Sequence, residues 1–275
     1  MDIFFNGECF PTDQPIFTAL NRSFRYGDGL FETMKFYKEK LLLEDLHFER
    51  LFSSLQLLQI ETAASFTREN LRKQIGDLCK KNNCEESARI RLTVYRNESN
   101  EAGYVVEAIP FDAKLNEWQS DGLHIGLYPN ARKSTDAFAN IKSANFLSYV
   151  LAQKYAQDNN CNDAIVLNTH NRLCDTSKAN VFLVIRGVLF TPALHQGCIN
   201  GVMRRTVIGE IKKLGLRLQE DEIPEELLWQ ADEVFLTNAI QVIRWVRLYK
   251  DKTYTCELTK EIFKNVSATI FPPSC

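Results

Sequence analysis

Hydrophobic positions along the first 110 residues switch between the two-residue period of strands and the 3.6-residue period of helices. Asp2 to Phe5 reads as a short strand, turned by Asn6-Gly7, a dipeptide suited to closing a hairpin. Leu30 to Phe36 and Lys40 to Leu43 read as a second strand pair around Tyr37-Lys38-Glu39. Phe48, Leu51, Phe52, Leu55 and Leu58 then recur at helical spacing behind the acidic Glu44 and Asp45, which predicts a helix of about 14 residues. A second helix over 67–80 leads into two β-rich runs, Ala88 to Tyr95 and Tyr104 to Ile109.

From Pro110 to Gly122 the periodicity is lost, which places a boundary between a small N-terminal α+β domain, 1–115, and a larger domain, 116–275. Beyond it, strands at Ala164 to Leu167, Val181 to Ile185, Val188 to Phe190 and Val234 to Leu236 alternate with helices near 144–157 and 202–214. The first of these helices carries an apolar face of Phe146, Leu147, Val150 and Leu151, with Ser143 suited to cap it. The chain is therefore of mixed α+β and α/β class.

Composition narrows the partners. With 275 residues, 45% apolar, 25% charged and a net charge of -2, the chain can bury a core and has no electrostatic reason to bind a polyanion, so nucleic acid is set aside. The N-terminus shows no basic segment followed by an apolar run, and no stretch approaches the roughly 20 apolar residues of a membrane span. No membrane partner and a cytosolic location are the expectation. The eight cysteines form no C-x-x-C pair and the four histidines lie far apart, so neither a metal site nor a disulfide framework is expected.

Four features could serve one small phosphorylated cofactor. Lys142 is by itself an ordinary helix-flanking charge, but its amine can condense with an aldehyde. Asp175, between two strands, could hold a pyridine nitrogen protonated, or could simply bond its own turn. Gly197 and Gly201 precede a helix whose first amides, at Val202 and Met203, suit an anion. Arg50 could grip a phosphate through two N–H groups, although the helical wheel turns it away from the apolar stripe, toward solvent.

Seven segments together give the chain a resemblance to the fold-type IV, class-IV aminotransferases, a family of branched-chain aminotransferases, D-amino-acid aminotransferases and 4-amino-4-deoxychorismate lyases. They are RYGDGLFET, His47 to Leu51, Lys142 to Leu147, Asp175 to Phe182, Leu189 to Pro192, Asn200 to Arg204 and Gln230 to Ala239. The resemblance implies the two-domain fold of the D-amino-acid aminotransferases, with a β-barrel-like larger domain. It further implies pyridoxal 5'-phosphate as cofactor, an active site between the domains and a homodimer. By the same resemblance Lys142 is the Schiff-base lysine and the base for the substrate proton. Arg50, Val202, Met203 and the Asn238-Ala239 turn hold the phosphate. Asp175, where the family normally has glutamate, pairs with the pyridine nitrogen.

Thr33 stands where the lyases carry a catalytic threonine, which favours elimination of pyruvate from aminodeoxychorismate to give 4-aminobenzoate. Phe31 then lines the substrate side and Arg96 is the candidate for a substrate carboxylate. RNESNEAGY over 96–104 departs from the lyases' glycine-rich loop, and Lys142 to Leu147 is closer to the transaminases. Amino transfer from a branched-chain or D-amino acid to 2-oxoglutarate is the alternative, and a non-catalytic metabolite-binding descendant is the third.

Overall fold

A computed structural model describes residues 1–271. The chain divides into two units, residues 1–114 with Ile141–Asn145, and residues 115–140 with those from Phe146 onward. The return of Ile141–Asn145 to the first unit, beyond the single boundary expected at 115, decides where Lys142 is held.

The first unit runs β1 (Asp2–Phe5), β2 (Glu8–Pro11), α1 (Arg22–Tyr26), β3 (Gly29–Tyr37), β4 (Lys40–Leu41), α2 (Glu44–Leu57), α3 (Arg68–Lys81), β5 (Ser87–Arg96) and β6 (Ala102–Pro110). Its strands form one antiparallel sheet in the order β2-β1-β6-β5-β3-β4. Glu44 and Asp45 occupy the first turn of α2, where the helix dipole favours them, and Thr67 caps α3 by accepting from the Asn70 amide. Leu30, Met34, Ile90, Leu92 and Val106 from the sheet pack with Phe48 and Leu51 of α2 and Leu71 and Ile75 of α3. Burying each of these side chains contributes about 1.5–3 kcal/mol.

The second unit runs β7 (Leu123–Lys133), α4 (Leu147–Asp158), β8 (Asp163–Asn168), β9 (Leu173–Thr176), β10 (Asn180–Ile185), β11 (Val188–Pro192), α5 (Val202–Lys213), β12 (Leu218–Asp221), α6 (Glu226–Gln230), β13 (Glu233–Asn238), β14 (Val242–Tyr249), β15 (Lys252–Thr253) and α7 (Glu257–Ile270). Its curled sheet has the order β12-β11-β10-β13-β14-β7-β8-β9, with β15 on β14. One face buries Ile165, Val181, Leu183, Leu236 and Val246, while Ala164 and Val166 on the other face pack with Tyr149 and Ala152 of α4. Alternation along β8 thus sends neighbouring residues to different cores.

The face of α4 that the sequence marks as apolar is not the buried one. Leu147, Val150 and Leu151 are 69%, 56% and 40% exposed, and the helix docks through Tyr149, Ala152 and Ala156 instead. Small alanines let the helix approach the sheet closely, which a large apolar face could not. Among the described residues no helix is long and apolar enough to cross a membrane, and no group of His, Cys, Asp or Glu could hold a metal ion.

Candidate active site

In the first unit, β4 pairs only with Phe36 and Tyr37, which leaves the first half of β3 with an open edge. Ile141–Asn145 fills it. The Phe31 amide donates to the Lys142 carbonyl at 3.0 Å, the Ala144 amide donates to the Gly29 carbonyl at 2.9 Å, and Leu30 bridges Ser143. Ser143 is therefore a strand partner and not the helix cap that its sequence position suggests. Phe146 takes the N-cap position of α4, with no side-chain cap bond.

Strand alternation puts Phe31, Thr33 and Lys35 on one face of β3, opposite the face of Leu30, Glu32 and Met34 that meets α2. The Lys142 amine stands 4.5 Å from the centre of the Phe31 ring, and the Arg91 guanidinium carbon stands 4.0 Å from the same centre. Arg91 lies directly across from Thr33 in the β3–β5 register. Lysine, aromatic ring, threonine and guanidinium thus share one patch. Lys35, two residues beyond Thr33, is 2% exposed, and burial depresses its pKa to about 7.

On the other face, Glu32 accepts from Arg50 Nε at 2.8 Å and Nη2 at 2.6 Å, and from His47 Nδ1 at 2.7 Å. Burial alone would raise the pKa of Glu32, but the Arg50 charge and the hydrogen bonds from His47 and Arg50 outweigh it and hold the carboxyl down at about 2. Burial keeps His47 neutral by lowering its pKa against the pull of Glu32, and the Lys142 charge pushes the same way. Arg50 is buried, not on a solvated face. A helical wheel for α2 omits β3, whose Glu32 reaches the helix from outside it. Glu32 takes the Nε/Nη2 edge of Arg50 and so fixes the position of the guanidinium.

Arg96 does not present itself to a substrate. Its Nε donates to Asp28 at 3.0 Å, Nη1 donates to the Gln59 carbonyl and Asn100 Oδ1, and Nη2 donates to the Leu58 carbonyl at 2.7 Å. Most of a guanidinium's five donors are thereby committed to fastening the end of β5 to the loops around it. Arg91, like Lys142, is a cation beside Phe31.

In the second unit, Asp175 lies within β9 and is 2% exposed. Its Oδ2 accepts from Tyr149 Oη at 2.8 Å, the Ile199 amide at 2.9 Å and Lys133 Nζ at 3.3 Å, while Oδ1 accepts from Asn180 Nδ2 at 2.8 Å. The Oδ2 partners are distant in sequence and Asn180 lies on the next strand, so the carboxylate does not cap its own turn. Burial, followed by the Asp175 charge, raises the Tyr149 pKa far above its ordinary value and keeps the hydroxyl a donor. Lys133 and Tyr149 escaped the sequence reading because only the fold brings them to Asp175.

Asn180 also donates to the Ile199 carbonyl, and a Cβ on Gly201 would come within 1.9 Å of Asn180 Oδ1. Gly201 is the N-cap of α5, with no side-chain cap bond over the first turn at Val202 and Met203. Asn180 pairs with Thr237, whose buried Oγ1 has no hydrogen-bond partner among the described residues. Next in the chain, Asn238 and Ala239 open a turn in which Asn238 Oδ1 accepts from the Ile240 and Gln241 amides. An uncapped helix start beside an orphaned hydroxyl fits an anion such as a phosphate. Thr237 adds a group that could have been suspected from its place before Asn238-Ala239.

The family model "Amino-transferase class IV" matches residues 29–249. The chain is 28% identical to the aminodeoxychorismate lyase of Bacillus subtilis over 86% of this chain and 83% of the relative. It is 26% identical to the D-alanine aminotransferase of Listeria monocytogenes over 86% of this chain and 84% of the relative. The crystal structure of a branched-chain aminotransferase from Thermoproteus uzoniensis with norvaline superposes with a TM-score of 0.86 at 26% identity, covering 97% of this chain and 93% of that one. The chain thus has the fold-type IV architecture and belongs to the class IV aminotransferase family, whose members are pyridoxal-phosphate-dependent enzymes.

Proposed function

We propose that this enzyme is a lyase that converts 4-amino-4-deoxychorismate to 4-aminobenzoate and pyruvate. The observation that carries the reading is Thr33 on the same strand face as Phe31, whose ring lies 4.5 Å from the Lys142 amine. Elimination needs a proton donor near the departing three-carbon group as well as a base, and a threonine hydroxyl on that face supplies one.

Lys142 would bind the cofactor covalently and take the proton from the ring carbon that bears the substrate amine. Once bound, the cofactor supplies an electron sink for the carbanion left behind. Asp175 would face the pyridine nitrogen. The α5 start at Val202 and Met203, the Asn238-Ala239 turn and Thr237 would hold the phosphate together with Arg50, which Glu32 places. Thr33 Oγ1 would pass a proton to the departing group. Arg91 would take a substrate carboxylate, a role the structure supports better for it than for Arg96.

Amino transfer is the second reading, favoured by the 96–104 loop, whose arginine is committed to its own neighbours, and by the transaminase-like Lys142 to Leu147 segment. A product assay with 4-amino-4-deoxychorismate, run beside half-reactions of L-branched-chain and D-amino acids with 2-oxoglutarate, separates the two. Release of 4-aminobenzoate and pyruvate, reduced at least ~100-fold in Thr33→Ala with cofactor affinity unchanged, supports the lyase. Amino transfer without elimination, or equal losses of turnover and cofactor binding in Thr33→Ala, would reject it. The exposed Leu147, Val150 and Leu151 support a homodimer through α4, which light scattering on Leu147→Glu and Val150→Glu would test.

A further inference from the structure

One end of the curled sheet in the second unit encloses a cavity of about 240 Å³, lined by Asp163, Lys178, Leu236, Asn238, Gln241 and Arg244 among others. It opens on the side of Leu236, which belongs to the same core as Ile165. Asp175 lies on the opposite side of the sheet, paired with Val166, and so does Thr237, the neighbour of Leu236 on β13. The cavity is therefore on the other side of the sheet from Asp175 and Thr237, and it meets the groups assigned to the cofactor only at Asn238.

Its lining carries two carboxylates, Asp121 and Asp163, and two cations, Lys178 and Arg244. Asp163 accepts from the Ala164 amide, Thr176 Oγ1 and both the amide and hydroxyl of Ser177, so its oxygens are occupied. The side-chain oxygen of Asn238 is likewise taken by backbone amides of its own turn. Donors remain. The Arg244 side chain is 12% exposed, and its nearest carboxylate, Asp121 at 3.8 Å, is 85% exposed. Arg244 Nη2 donates to the Asp121 carbonyl at 3.1 Å, while its Nε is buried without a partner among the described residues. Lys178 stands exposed at the rim.

A largely enclosed guanidinium with one N–H unsatisfied, whose paired carboxylate Asp121 is exposed to solvent, is costly by itself, and an anion beside it lowers that cost. We propose that this cavity is a binding site for a small oxyanion, a phosphate or a carboxylate, gripped by Arg244 with Lys178 at its mouth. At about 240 Å³ it lies below the ~300–1,000 Å³ of pockets that take drug-sized ligands, and so suits inorganic phosphate or an acid of a few carbons.

Calorimetric titration of the cofactor-loaded enzyme with inorganic phosphate, and separately with acetate, tests the site. One saturable equivalent per chain is expected, weakened at least ~10-fold by Arg244→Gln and weakened less by Lys178→Gln. Arg244→Lys keeps the charge and should retain binding within a few fold, which guards against a variant that merely misfolds. Saturation by phosphate alone or acetate alone names the source, and both support the site. No saturable binding by either anion, or binding that survives Arg244→Gln in a folded protein, would overturn it.

Discussion

Glu32 and Asp175 are both buried carboxylates on strands, but their partners differ in kind. Glu32 meets a guanidinium through two hydrogen bonds at 2.6 and 2.8 Å and a neutral imidazole at 2.7 Å. Asp175 meets three neutral donors within 2.9 Å and a single lysine at 3.3 Å. A close guanidinium cancels the charge it holds, so Glu32 serves to place Arg50. Neutral donors fix a carboxylate without cancelling its charge, so Asp175 can still stabilise another cation, as a protonated pyridine nitrogen requires.

The largest effect separating them is on stability. Glu32→Ala leaves Arg50 buried without its partner and should cost about 3–5 kcal/mol in urea unfolding, against about 1–3 kcal/mol for Asp175→Asn. Comparable losses would erase the distinction. The pH dependence follows next. Glu32 titrates at about 2 when folded against an ordinary 4.5, so its contribution of about 3 kcal/mol is present above pH 4.5 and is lost as pH falls toward 2. Glu32→Gln should flatten that acid limb, and an unchanged limb would assign acid unfolding to other groups.

On cofactor binding the order reverses. Asp175→Asn should weaken affinity about 10-fold while Lys133→Met, which frees Asp175 of its one cation, should leave it equal or tighter, read by fluorescence titration. Weaker binding in Lys133→Met would make the lysine a cofactor contact instead. The smallest expected effect is at Arg96, where substitution by Gln should cost about 1–2 kcal/mol of stability with KM within about twofold, whereas Arg91→Gln should raise KM about 10-fold. A large KM change in Arg96→Gln would return the substrate role to it.

The contrast also explains what the sequence could and could not disclose. The span of α2, the hairpins of the first unit and the glycine start of α5 follow from local periodicity and turn chemistry, and the structure places them within a few residues. The Lys142 strand was not visible, because it pairs with β3 from over a hundred residues away and looks locally like a helix entry. Arg50 looked solvated for the same reason, since its partner Glu32 lies on another element. Lys133, Tyr149 and Thr237 carry no local signal apart from the contacts that the fold brings them. The exposed stripe on α4 shows the converse, an apolar pattern that periodicity detects but cannot assign to a partner.

The central claim is that Lys142 carries the cofactor, and borohydride reduction of the yellow holoenzyme followed by peptide mass mapping tests it directly. The account predicts a phosphopyridoxyl group on Lys142, absent in Lys142→Ala. A label on Lys35 or Lys133, or an undiminished label in Lys142→Ala, would contradict it.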